Sequence, residues 1–320
     1  MKLRYSILLL LLLVSSPSIF AQEKGKPEQT KAKAEEKAKA TPQSKYKRGD
    51  RVVLTSAAKL VIPAKTVGEL PQGIVATVRH VNGPWIWIRS GRAGWLDAKY
   101  VVPLQEGVQY FTAQLTRNKN DGTAYASRAH VHRNLGDLNG ALKDYSAAIK
   151  LDPDNAFAIK NRAYTHFLSG NHKAAVADYG RVVQLDPQDV TAWKDRGYNH
   201  YELGQYAQAL ADYDAALKRN AKHVPTLNKR AWLLATCPND KVRDGEAAMA
   251  SARKACELAK PVHYDYVDTL AAAYATAGYF GLAVTTAEEA IKLAPREARE
   301  PIKRRVASYR KKKAYHEPNR

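Results

Sequence analysis

Two cysteines, Cys237 and Cys256, are all that the 320 residues contain, so a disulfide scaffold is excluded. A single bridge would need Cα atoms within roughly 7 Å, and the helical reading below places the two near opposite ends of a hairpin. The chain has no G-x-S-x-G elbow, no H-E-x-x-H pair, no phosphate-cradling glycine loop and no C-x-x-C. Without a nucleophile, base and orienter in any such arrangement, no enzyme class is indicated, and no catalytic residue, metal or cofactor is expected. Acidic residues are in short supply: 31 Asp and Glu stand against 51 Lys and Arg, a net charge of +20. That balance favours acidic partners, among them anionic wall polymers and phospholipid surfaces.

Long apolar runs are confined to the start. Lys2 and Arg4 precede Ile7, the leucines Leu8 to Leu13 and Val14, and Ile19-Phe20-Ala21 ends in a small residue. This is the layout of a secretory signal peptide over 1–21, so the expected location is periplasmic or secreted. No cysteine near Ala21 suggests a lipid anchor, and the apolar core is short for a membrane span. Export in turn argues against nucleic acid as a partner. Residues 22–47, "QEKGKPEQTKAKAEEKAKATPQSKYK", hold one aromatic and cannot bury enough surface to offset chain entropy. They read as a disordered basic linker.

Residues 48–104 change character. "DRVVLTS", "GIVATVRHV", "PWIWIRS" and "GWLDAKYVVPL" alternate or are β-branched, separated by the turn signals "LPQG", "VNGP" and "SGRAG". About five strands in so short a segment predict a small closed barrel. The pattern at Trp85, Trp87, Gly91, Gly94 and Trp95 resembles bacterial SH3-like domains, which implies a module that binds short peptides or wall components or serves as a structural unit. Trp85, Trp87, Trp95 and Tyr100 are its candidate groove residues, although at least two of the three tryptophans are expected in the core.

From about 105 the pattern repeats every 34 residues, and this decides the fold class. Segments 122–155, 156–189 and 190–223 align without gaps: Tyr125, Ile159 and Trp193; Ala129, Ala163 and Gly197; Gly136, Gly170 and Gly204; Tyr145, Tyr179 and Tyr213. Small residues let helices approach, glycine permits the turn, and Pro153 and Pro187 stop the second helix. The array is similar to tetratricopeptide repeats (TPR), which implies a right-handed superhelix of antiparallel helix pairs. A half-repeat helix at 105–121, with Phe111 in the tyrosine position, is expected to couple barrel and solenoid. A variant repeat follows at 224–260 with extra residues in "TCPNDKVRDG", then a regular one at 264–297 and a basic cap helix and tail at 298–320.

The layout resembles exported bacterial proteins of planctomycete type in which an SH3-like domain precedes TPR repeats; "AWLLATCPND", "DTLAAAYATAGYF" and "YRKKKAYHEP" carry the resemblance. It implies a non-enzymatic scaffold that holds a peptide or partner protein in the concave groove, with the SH3-like domain as a second binding module. The alternative is an envelope-targeting adaptor in which that domain and the basic tail bind wall polymer or anionic membrane. In TPR arrays the first helix of each repeat lines the groove, which nominates Lys160, Tyr164, Phe167, Lys194, Tyr198, Tyr201 and Asn228, with His130 and Arg133 at one end. Aromatic faces interleaved with cations suit an extended acidic peptide. Some TPR proteins clamp a terminal carboxylate with Lys and Asn; Lys160, Asn161, Lys194 and Asn228 resemble part of that set.

Two other periodic features have quieter readings. Arg128, Arg162 and Arg196 each precede an aspartate, Asp144, Asp178 and Asp212, by 16 residues, which predicts a structural ion pair inside each repeat. Arg230 meets Ser251 in place of the aspartate. His132, His166 and His200 share one repeat position, where successive helices about 10 Å apart hold them in a row that cannot converge on one ion. Asp152, Asp154 and Asp186 are expected to cap the next helices.

Overall fold

The computed structural model describes residues 44–62, 65–90, 92–260 and 262–318. The signal segment 1–21 and most of the linker lie outside the described residues. No described helix is long and apolar enough to cross a membrane.

The first part is a single antiparallel sheet of seven strands: β1 (Arg51–Leu54), β2 (Ala58–Ile62), β3 (Lys65–Leu70), β4 (Val75–Asn82), β5 (Trp85–Ser90), β6 (Arg92–Asp97) and β7 (Val101–Pro103). Their order is β3-β2-β6-β5-β4-β1-β7. The sheet is therefore open, with β3 and β7 at its edges, and the closed barrel expected from the sequence is not formed. The reason lies at the β1–β2 corner: β1 pairs with β4 and β7, while β2 pairs with β3 and meets β6 only at Val61↔Trp95. The sheet nonetheless wraps one core, since Val52, Leu54, Leu60, Val78, Ile86, Ile88 and Leu96 form one buried cluster. Tyr46, which composition assigns to the linker, belongs to this core; its hydroxyl donates to the Val101 carbonyl at 2.9 Å.

The tryptophans are not in that core. Strict alternation in β5 buries Ile86 and Ile88 and turns Trp85 and Trp87 to the outer face. Trp87 and Trp95 lie opposite each other across β5 and β6 and pack edge to face at 5.4 Å. Branched aliphatic side chains already fill so small an interior.

Twelve α-helices follow among the described residues: α1 (Gly107–Arg117), α2 (Gly122–Asn134), α3 (Leu138–Leu151), α4 (Ala156–Leu168), α5 (His172–Leu185), α6 (Val190–Glu202), α7 (Tyr206–Arg219), α8 (Val224–Thr236), α9 (Gly245–Leu258), α10 (Tyr264–Thr276), α11 (Phe280–Leu293) and α12 (Arg299–Arg310). Each α2-to-α7 pair repeats one design. Asp121, Asp137, Asn155, Asn171 and Asp189 accept from a backbone N–H in the first turn, each cap stabilising its helix by about 1 kcal/mol. Asp152 and Asp186 do not cap as expected: they close the preceding helices, and Asn155 and Asp189 open the next ones. Gly136, Gly170 and Gly204 turn the chain at φ of +89°, +75° and +70°, where a Cβ is strained. Between the helices sit Tyr145, Tyr179 and Tyr213, all fully buried.

Sheet and solenoid share a core. Val53 of β1, Leu104, Phe111 of α1 and Val131 of α2 form one buried cluster, so the half-repeat is glued to both. The turn before β4 lies against α2 so closely that a Cβ on Gly73 would stand 2.8 Å from Ser127 Cα. Arg51 reaches across to the Asn134 side chain at 2.6 Å and Gln72 to Gln114 at 3.1 Å.

Candidate functional site

Why the first helices present the rings they do follows from the repeat. Positions four before and one before the helix end face the groove, and α4 supplies Tyr164 and Phe167 there, α6 Tyr198 and Tyr201, α8 Trp232. The rings form a continuous row: Tyr164–Phe167 at 5.8 Å, Phe167–Tyr198 at 5.6 Å and edge to face, Tyr198–Tyr201 at 6.2 Å. Cations cover the row across repeat boundaries. Arg133 of α2 stacks 5.1 Å over Tyr164, and Lys229 of α8 stacks 4.6 Å over Tyr198.

Three adjoining hollows lie along this row. The first, about 310 Å³, is lined by Tyr164, Phe167, Tyr179, Lys194, Asp195, Tyr198, Asn199 and Lys229. A smaller one of about 180 Å³ continues past Tyr198 to Tyr201, Tyr213, Lys229 and Trp232. The third, about 420 Å³, runs between α8 and α10 and includes Asn228, Lys229, Trp232, Asp265 and Asp268. Lys229 borders all three. Lys229 as a residue is exposed, yet its ammonium lies among the groove walls; that burial, with Lys194 adding repulsion, holds its pKa below the usual lysine value.

Two family models match inside this array, one described as Tetratricopeptide repeat over residues 159–231 and one as TPR repeat over 129–170. Residues 129–231 thus carry tetratricopeptide repeats. A comparison with the curated proteins gives no match. Among solved structures, YrrB, described as a TPR protein with an unusual peptide-binding site, aligns with a TM-score of 0.52 at 19% identity, over 64% of this chain and 99% of YrrB. The Cut9–Hcn1 hetero-tetramer of APC/C aligns with a TM-score of 0.50 at 18% identity, over 63% of this chain and 39% of that one. MamA aligns with a TM-score of 0.46 at 20% identity, over 51% of this chain and 92% of MamA. At these identities the likeness is one of fold.

Of the residues nominated from the TPR pattern, Tyr164, Phe167, Lys194 and Tyr198 share one hollow, Tyr201 lines the next and Asn228 the third. Asn228 Oδ1 is buried there with no protein partner. Lys160 is not available: its ammonium is held by Asp189 at 2.5 Å and Thr191 at 2.6 Å. Burial pushes the Asp189 carboxyl up, but the bonds it accepts from Lys160, Thr191 and the Ala192 N–H outweigh that and keep it below the usual range. Asn161 is likewise engaged, by Phe157 and Arg133, and Lys194 lies 2.5 Å from Asp195. A terminal-carboxylate clamp built on these side chains is therefore not assembled.

The TPR arginines are bidentate partners of the aspartates, with Arg128–Asp144 at 2.7 and 2.8 Å, Arg162–Asp178 at 2.8 and 2.7 Å and Arg196–Asp212 at 2.8 and 2.6 Å. Arg230 takes Asp214 at 2.6 Å and Ser251 at 2.8 Å. His132 is held by Asp137 at 2.7 Å and His200 by Gln205 at 2.6 Å, while burial lowers the pKa of His166. Among the described residues no cluster of metal-ligating side chains forms, and both cysteines are free.

The sequence reading missed Lys229 and Trp232, and the whole contribution of the C-terminus. Arg305 of α12 pairs at 3.2 and 2.5 Å with buried Asp268, which lines the third hollow, and its guanidinium lies 5.5 Å from the Trp232 ring. On the sheet, Trp85 and Tyr100 line a separate cleft of about 410 Å³ with Lys59, Glu69 and Lys99; Trp87 and Trp95 are not part of it.

Proposed function

We propose that the chain is an exported, non-enzymatic scaffold whose TPR groove holds an extended peptide or a segment of a partner protein. The observation that carries this is the unbroken row of rings from Tyr164 to Tyr201 with Lys229 over Tyr198. Rings of this kind give large contact area at small entropic cost, and the Lys229 ammonium favours an acidic group on the ligand by charge-assisted bonds. That YrrB has a peptide-binding site on the same fold supports the reading. The N-terminal sheet, read as an SH3-like module, would act as a second site through Trp85 and Tyr100.

The test is selection of a displayed peptide library against the full-length chain, with Tyr164→Ala/Tyr198→Ala as the counter-target. Selected peptides are expected to bind the double variant at least about tenfold more weakly, since each lost ring contact is worth about 1 kcal/mol. The melting temperature should fall only slightly, because Tyr164 is 42% exposed. Peptides that bind both proteins equally would refute the groove.

A further inference from the structure

One stretch of the groove is covered by residues from farther along the same chain. After α12 the backbone reverses through a Schellman turn: the Lys312 N–H donates to the Tyr309 carbonyl at 2.9 Å and the Lys313 N–H to the Ser308 carbonyl at 3.0 Å. Lys312 takes the left-handed position at φ +55°, the one non-glycine residue among those described to do so. The segment Ala314–Glu317 then runs back over α8. Tyr315 lies 6.3 Å from the Trp232 ring, and Arg305 is 5.5 Å from each of them. The Glu317 N–H donates to the Thr236 carbonyl at 2.8 Å. Its carboxylate is read at both oxygens by different repeats: Trp232 Nε1 of α8 donates to Oε1 at 2.9 Å, and the Tyr201 hydroxyl of α6 donates to Oε2.

A main-chain bond, a ring packed at a tilt against another ring and beside a guanidinium, and a carboxylate held by two converging donors are the elements of peptide recognition. They are assembled where the second hollow meets the first across Tyr198 and Lys229. Resting on the groove reading above, we propose that Tyr315–Glu317 is a tethered ligand of this stretch. The partner that enters in trans is an extended peptide with the same pattern, an aromatic residue two positions before a glutamate, which displaces the tail and continues into the 310 Å³ hollow. A glutamate suits the site because two neutral donors, Trp232 Nε1 and the Tyr201 hydroxyl, converge on its carboxylate with Lys229 lining the same hollow.

Tethering sets the size of the effect. A short flexible tether gives an effective concentration of about 1 mM, so a free peptide with Kd of about 0.1 mM binds roughly tenfold more weakly while the tail is in place. The probe is a labelled synthetic peptide of the tail sequence, KKAYHEPNR, titrated by fluorescence anisotropy into the full-length chain and its Glu317→Gln variant. Roughly tenfold tighter binding to Glu317→Gln is expected, with that gain lost when Trp232→Phe or Tyr201→Phe is added, and with a peptide carrying Gln for Glu binding at least several-fold more weakly throughout. Tyr315→Ala loosens the same segment without touching the carboxylate's donors and should reproduce the gain. Equal binding to the wild type and both tail variants overturns the proposal, as does a Gln peptide that binds as well as the Glu peptide. Library-selected peptides that need Tyr164 and Tyr198 yet ignore Glu317→Gln would also overturn it, while leaving the groove reading intact.

Discussion

Removing Asp178 isolates the ion pair that recurs through the repeats. Its carboxylate accepts two hydrogen bonds from Arg162, at 2.7 and 2.8 Å, and the two side chains keep 12% and 24% of their exposure. An exposed pair would contribute about 0–1 kcal/mol, and breaking a buried one costs about 3–5 kcal/mol. This pair lies between, because Arg162 without its partner retains Ser146 at 3.2 Å and a path to water. Asp178→Ala is therefore expected to lower stability by about 2 kcal/mol. Arg162→Met should cost as much or more, since it leaves a nearly buried carboxylate unpaired. The double variant should cost less than the sum of the two, with a coupling of about 1.5 kcal/mol. Urea unfolding followed by circular dichroism at 222 nm measures all four corners, provided the slopes agree. A coupling under about 0.3 kcal/mol would mean that the pair is an ornament of the repeat and not a part of its stability.

Acid should loosen the junction of sheet and solenoid. Burial, with Arg133 and Arg51 beside it, pushes the His130 pKa down to about 4, so the folded chain binds this proton less readily than the unfolded one. Stability from this group is complete above about pH 6.5 and falls as pH drops towards 4, by roughly 2–3 kcal/mol; His130→Gln should flatten that part of the urea midpoint-against-pH curve, and unchanged curvature would refute the assignment. Lys312→Gly should raise stability by about 0.5–1 kcal/mol by relieving the left-handed backbone, read as a higher melting temperature, and a lower one would show that the lysine side chain matters more than the strain.

What the sequence discloses here is what repeats. The turn glycines, the buried tyrosines and the arginine–aspartate offset recur at one period, and each is found in the role its spacing implies. Alternation in "WIWI" shows that two faces differ, but not which one is inside: both are apolar, and side-chain size pointed to the wrong one. Strands β2 and β3 were overlooked because lysines and a glutamate interrupt their pattern. Lys229 hides because the same position holds Ser127, Asn161 and Asp195 in the three preceding repeats. The tail has no periodicity at all; Tyr315 and Glu317 gain meaning only when a turn at Lys312 brings them across more than 80 residues of chain to Trp232.

The 34-residue period also makes the groove a modular ruler. An extra repeat inserted before α6 would extend the ring row by about the spacing of neighbouring helices, roughly 10 Å, and leave Tyr201, Trp232 and the returning tail in register. The same insertion after α8 would carry α12 away and strand Glu317 short of its donors. Groove length and tail docking are thus separately adjustable, and the boundary between the two is α6.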